Sequence, residues 1–158
     1  MKVPRIVAIC SGKNEELVKE HGATEVVDYT KDMKPFWKEN AGKFDVVYDA
    51  ATSSGAGEDY TSDAMNVLKT ETGKYVQLNG KPSLWAKKMA GMLPKNRFMP
   101  LVSHSMSTAT LEAVSSLLED SNTKPIVIPM TFDEAGFKEG FDLLRSRRTK
   151  GKVVFEIA

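Results

Sequence analysis

Short strand-type runs alternate with longer amphipathic runs almost from end to end of this 158-residue sequence. That alternation constrains the fold more than any single motif. A strand that must lie parallel to its neighbour needs a long crossover, usually a helix. Residues 6–10 form a continuous apolar run, as expected of a strand covered on both faces. Residues 25–29, 44–49, 74–78, 98–102 and 153–157 are further strand-type runs. Between them the helical stripes are Leu17, Val18 and His21; then Tyr60, Ala64, Val67 and Leu68; then Leu111, Val114, Leu117 and Leu118; then Phe137, Phe141 and Leu144. A weaker helix is expected over residues 31–40, with Pro35 near its start, and another over residues 83–92. The expected class is α/β with a mainly parallel, doubly wound sheet.

Local signals place the helix ends. Asn14 is expected to cap the first helix and Gly22 to close it. Ser107 or Thr108 is expected to cap the helix that carries Leu111, and Thr131 with Glu134 forms a capping box for the last helix. No internal repeat or linker divides the chain, so residues 1–158 read as a single domain.

Composition removes several function classes. The net charge of +1 produces no field that would draw nucleic acid or an anionic membrane. No apolar run of about 18 residues is present, so no membrane span is expected. The single cysteine, Cys10, leaves no internal disulfide framework and fits a reducing, intracellular compartment, cytoplasmic or organellar. With His21 and His104 far apart, no metal-ligand spacing of the Cys/His type exists. There is no G-x-S-x-G elbow for a serine hydrolase.

Three stretches carry a resemblance. The first runs from Ile6 through Cys10, Ser11, Gly12, Lys13 and Asn14 to Lys19. The second is Gly22, Ala23, Val26, Asp28 and Tyr29, followed by Phe44, Asp45 and Asp49. The third runs from Pro129, Thr131 and Phe132 to the terminal Gly151, Lys152 and Val154. In combination they resemble the later part of the nucleotide-binding domain of medium-chain dehydrogenases/reductases, in the zinc-free quinone oxidoreductase-like branch. The resemblance covers nearly the whole chain and about half of a full family member. It implies a Rossmann-like domain in which residues 6–10 are the family's second strand. The family's first strand, its Gly-rich turn and its GroES-like catalytic domain have no counterpart in the sequence. Two ways of completing the sheet follow. The strand at Ile6 pairs directly with the strand at Val46, giving a flavodoxin-like order, or a strand from outside fills the slot between them.

The resemblance implies an oxidoreductase-type module that binds NADP(H), is related to quinone and enone reductases, and is incomplete for catalysis by itself. The alternative is a catalytically silent accessory or assembly subunit of a larger complex. Expected partners are a dinucleotide and either further copies of the chain or other protein subunits. Ser11, Gly12 and Lys13 follow the first strand, where a basic residue accommodates the 2′-phosphate of NADP; they also read as a polar turn. Tyr29 is implied, by resemblance, beside the same phosphate. Ala50, Thr52, Leu78, Asn79 and Gly80 follow the third and fourth strands at carboxyl ends, where ligands bind in open parallel sheets, or are simple turn residues. Lys152 belongs to the terminal motif, and the basic residues around it also suit a solvated helix end. The Trp- and Met-bearing segment from Leu84 to Leu93 packs on the sheet or meets a partner. No catalytic residue is assigned.

Overall fold

The computed structural model describes residues 3–52, 59–78, 80–99, 107–120, 124–146 and 149–157. Asn79, His104, Arg147, Arg148 and part of the loop after the third strand lie outside the described residues, as does the end of the strand expected at 98–102. The chain divides into two compact units, Met1–His104 and Ser105–Ala158.

The first unit alternates strand and helix as the sequence predicts. Strand β1 (Val7–Cys10) leads through a 3-10 turn, Gly12–Asn14, into α1 (Glu15–Glu20) and β2 (Glu25–Asp28). Then come α2 (Lys34–Glu39), β3 (Val46–Asp49), α3 (Thr61–Val67), β4 (Lys74–Gln77), α4 (Pro82–Met89) and β5 (Arg97–Phe98). Gly22 does end α1: its φ of 98° gives the left-handed residue of a helix terminus. The Gly22 N–H donates to the Lys19 carbonyl and Ala23 N–H to Val18, both at 3.0 Å, the paired bonds of a Schellman closure. Asn14 does not cap as expected. The 3-10 turn brings its backbone N–H to the Ser11 carbonyl at 2.8 Å, and its side chain makes no capping bond.

All strand pairings in this unit are parallel. β1 pairs with β2, and β4 lies between β3 and β5. α3 buries Ala64 and Val67, and Leu68, extended just after it, is buried too, at 3%, 2% and 3% exposure; Ala64 and Leu68 cluster with fully buried Tyr75. Phe44, Val47 and Met65 pack around Ala64, Leu68 and Tyr75. Burial of this kind stabilises by about 25 cal/mol for each Å² of apolar surface removed from water.

The α/β, parallel-sheet expectation holds, but direct pairing of the first strand with that at Val46 does not occur. Among the described residues β1 pairs only with β2, and β3 only with β4. Residues of both strands line one cavity. The Arg5 guanidinium, just before β1, lies 5.0 Å over the ring of Phe44, just before β3. Tyr29, beyond β2, shares a cavity with Ala50 and Ala51, beyond β3.

The second unit contains α5 (Thr108–Asp120), β6 (Val127–Thr131), α6 (Glu134–Arg145) and β7 (Lys152–Glu156). β6 and β7 are parallel, and sequence reading missed β6 because Pro125 and Pro129 punctuate it. Ser107 caps α5, accepting from Thr110 N–H at 3.2 Å. The expected capping box at Thr131 and Glu134 is not formed. Thr131 stays in β6, and Asp133 caps α6 by accepting from Gly136 N–H at 2.7 Å.

Candidate functional site

The residues singled out after the first four strands gather at carboxyl ends. Ser11 is half-buried and begins the 3-10 turn, while Gly12 and Lys13 are exposed on it. Asp28 ends β2 alongside. A Cβ on Gly12 would stand 2.8 Å from the Asp28 Oδ2 atom, so a larger residue there would have to displace that carboxylate. Asp28 Oδ1 accepts from the Thr30 hydroxyl at 2.7 Å and from Thr30 N–H at 3.0 Å. Those bonds, the side-chain one first, hold its carboxyl below the usual range. The Gly12 N–H and Lys31 add to this against desolvation. Asp28 is the acid that reading the first turn by itself did not find, because it arrives from the neighbouring strand.

Lys13 makes no ion pair within 4.0 Å among the described residues. Tyr29 is 49% exposed, with its N–H on the Cys10 carbonyl at 3.2 Å. Burial, then the charges of Asp28 and Glu15, pushes the Cys10 thiol up, so it stays protonated at neutral pH and is a poor nucleophile.

A second cluster forms at the ends of β3 and β4. Asp49 Oδ1 accepts from Ala51 N–H at 2.9 Å and Thr52 N–H at 2.8 Å, and Oδ2 accepts the Tyr75 hydroxyl at 2.5 Å. Burial works to raise the Asp49 pKa, and the bonds from Thr52, Tyr75 and Ala51 outweigh it, leaving the carboxyl below its ordinary value. Thr52, 2% exposed, uses its hydroxyl to accept Tyr60 N–H at 3.1 Å. Ala50 is exposed, and Leu78 donates its N–H to the Asp49 carbonyl at 3.0 Å. Gly80 lies against Met99, whose methyl a Cβ would overlap. Gln77, fully buried and in register with Asp49, accepts from Arg97, while its amide nitrogen and Arg97 Nε have no partner among the described residues. Lys152 starts β7 in the second unit, with its N–H on the Ile126 carbonyl at 2.8 Å.

Desolvation, then the bond to Asp49, pushes the Tyr75 phenol up to about 12. The unfolded phenol ionises near 10, so this bond's stabilisation is complete below about pH 10 and drains away as pH rises towards 12. Ultraviolet titration will show a late phenolate step near pH 12 that disappears in Tyr75→Phe.

Parallel strands, helical crossovers and polar clusters at carboxyl ends define a Rossmann-like α/β protein. The profile of the zinc-binding dehydrogenase family matches residues 21–155, and the chain belongs to that family. It is 33% identical over 153 residues to a 2-methylene-furan-3-one reductase of Solanum lycopersicum, covering 95% of this chain and 33% of that protein. It is 26% identical over 154 residues to a probable zinc-binding oxidoreductase, mitochondrial, of Arthroderma benhamiae, covering 96% of this chain and 44% of that one. The fold matches the quinone oxidoreductase of Coxiella burnetii with a TM-score of 0.72 at 19% identity, over 98% of this chain and 45% of the other. The chain thus corresponds to a partial, C-terminal-type portion of medium-chain reductases and spans less than half the length of these relatives. Among the described residues no three His, Cys, Asp or Glu side chains converge, so those residues do not fit the zinc of the family's description. Among those residues no helix is long and apolar enough to cross a membrane.

Proposed function

We propose that this chain forms the NADP(H)-binding part of a reductase acting on quinone- or enone-type carbonyls. One observation carries the reading. The turn of Ser11, Gly12 and Lys13, the last without an ion pair among the described residues, follows β1, with Gly12 against Asp28 and with Tyr29 after the adjacent parallel strand β2. Lys13 supplies the cation for a 2′-phosphate, and the ionised Asp28 accepts from a hydroxyl; Tyr29 offers an exposed ring and hydroxyl. Ala50, Thr52, Leu78 and Gly80, after β3 and β4, are read as bordering the rest of the dinucleotide. When bound, the cofactor supplies a hydride; the walls that hold a carbonyl substrate come from protein outside this sequence. A reducing intracellular compartment suits the free Cys10. Calorimetric titration will give micromolar NADPH binding, weakened at least about tenfold by Lys13→Glu, with NADH binding less affected. Equal loss for both nucleotides overturns the role of Lys13, and no NADPH binding to the unmodified chain overturns the reading.

A second reading has its own support. The apolar stripe of α5 is open to solvent, with Leu111, Val114 and Leu117 at 52%, 49% and 68% exposure. Apolar surface of that kind marks protein contacts, as in a catalytically silent accessory subunit or a homo-oligomer. Absence of NADPH binding together with stable recovery in a larger assembly distinguishes this case.

A further inference from the structure

Cations are unevenly placed along the chain. From Thr72 to Leu111 the sequence holds Lys74, Lys81, Lys87, Lys88, Lys95 and Arg97 and no Asp or Glu, although the net charge of the whole chain is only +1. Two of these cations meet at the amino end of the parallel strands. Lys74 opens β4, and Lys95 stands just before β5. The Tyr75 N–H donates to the Asn96 carbonyl at 2.7 Å, which holds the two strand entries side by side. The turn between α3 and β4 forms the remaining wall. It is tight: Gly73 N–H returns to the Lys69 carbonyl at 3.0 Å, and a Cβ on Gly73 would stand 2.5 Å from that oxygen. These segments border a hollow of about 560 Å³ whose side-chain lining is Thr70, Glu71, Thr72, Lys74, Lys95 and Asn96.

The donors of this hollow are unspent. Neither lysine makes an ion pair within 4.0 Å among the described residues, whereas neighbouring Lys69 is held by Asp45 at 2.6 Å. The backbone N–H groups of Thr70, Glu71 and Thr72 donate to no described residue. A single carboxylate, Glu71, shares the lining with two ammonium groups, which leaves the hollow net positive.

We propose that this hollow binds a phosphate-type oxyanion, held by Lys74 and Lys95 with the hydroxyls of Thr70 and Thr72 and the Asn96 amide as further donors. Chemistry selects the ligand. Lysine meets phosphate as a compact point charge, and hydroxyl and amide donors satisfy the remaining oxygens. A neutral or cationic ligand would leave both ammonium groups uncompensated. The hollow lies at the amino end of β4 and Leu78 follows its carboxyl end, so the inference stands apart from nucleotide binding. The phosphate belongs to a free phosphomonoester or to a lipid headgroup. The second source has its own physical reason: Met89 and Met92, shortly before Lys95, are 86% and 70% exposed, and apolar side chains beside lysines suit an anionic membrane surface.

The probe is inorganic phosphate, followed through amide shifts of the isotope-labelled chain at constant ionic strength, with chloride as control. Saturable shifts are expected at Thr70, Thr72, Lys74, Lys95 and Asn96 with phosphate and none with chloride. Both lysines are exposed, so their replacement leaves the fold intact. Lys74→Gln and Lys95→Gln are each expected to weaken phosphate binding about tenfold, the scale of one charge-assisted contact, and Glu71→Gln to tighten it. Equal shifts with chloride mean general charge screening and overturn the proposal. So does undiminished phosphate binding when both lysines are replaced. Sedimentation with phosphatidylglycerol vesicles, absent with phosphatidylcholine alone and lost in the double variant, assigns the phosphate to a lipid. Phosphate binding without sedimentation assigns it to a free phosphomonoester.

Discussion

Asp49→Ala is expected to destabilise the first unit by about 3–5 kcal/mol, in urea unfolding followed through Trp37 and Trp85. The size follows from what one carboxylate holds. It accepts two backbone N–H groups, from Ala51 and Thr52, and the hydroxyl of fully buried Tyr75. Alanine leaves all three donors without that acceptor, and each buried donor left unmade costs about 1–3 kcal/mol. The Thr61 hydroxyl, 3.5 Å from the Tyr75 hydroxyl, recovers part of the loss. Asp49→Asn keeps the shape and one acceptor oxygen, so its cost should be less than half as large. Acid acts in the same direction. Because the folded Asp49 pKa lies below the unfolded one, its stabilisation is present above about pH 4 and disappears as pH falls through the folded value. Asp49→Asn should therefore flatten the acid limb of the stability curve. An Asp49→Ala variant within 1 kcal/mol of the parent, by the same urea measurement, would show the cluster to be ornamental.

Gly136→Ala is expected to destabilise the second unit by about 2–3 kcal/mol, the reverse of its usual sign. In an ordinary helix interior alanine is favoured over glycine by about 0.5–1 kcal/mol. Gly136 is different because the last residue of β6 folds back over the first turn of α6. A Cβ there would overlap the Thr131 carbonyl oxygen and stand 2.6 Å from its hydroxyl. Backbone cannot swing aside as a side chain can, so the turn must open. Opening strains the bond from Gly136 N–H to the capping Asp133, worth about 1 kcal/mol by itself. Gly140 offers the comparison. Its Cβ would meet the Phe155 ring at 2.9 Å, a side chain with room to yield, so Gly140→Ala should cost less. Exchange of β6 and β7 amides, read by mass spectrometry, should accelerate markedly in Gly136→Ala and only slightly in Gly140→Ala. Unchanged exchange in Gly136→Ala would contradict the close approach.

Much of the architecture was legible residue by residue. Ala64 and Val67 became the buried residues of α3, with Leu68 buried just past its end, and Gly22 closed α1 as its position suggested. The failures are local competitions that periodicity does not report. Asn14 lost its capping role when a 3-10 turn brought its N–H to Ser11. Asp133, two residues beyond the expected cap Thr131, was better placed to reach Gly136. Pro129 concealed β6, because a strand tolerates proline where that residue's N–H is not needed by a neighbour. At the candidate site the turn of Ser11, Gly12 and Lys13 was readable, whereas Asp28 beside it was not. Two residues 16 apart in the sequence become neighbours only when β1 and β2 pair in register, Cys10 against Asp28.

The sequence by itself determined the alternation of strand and helix, the parallel class and the family, since each depends on patterns within a few residues of one another. Only the tertiary structure decided that β1 and β3 are not paired with each other among the described residues, and that the Asp49 carboxylate accepts the hydroxyl of buried Tyr75. Both outcomes turn on which distant segments meet. A strand's own residues say which of its faces is apolar, but its edges are identical backbone whatever lies beside them.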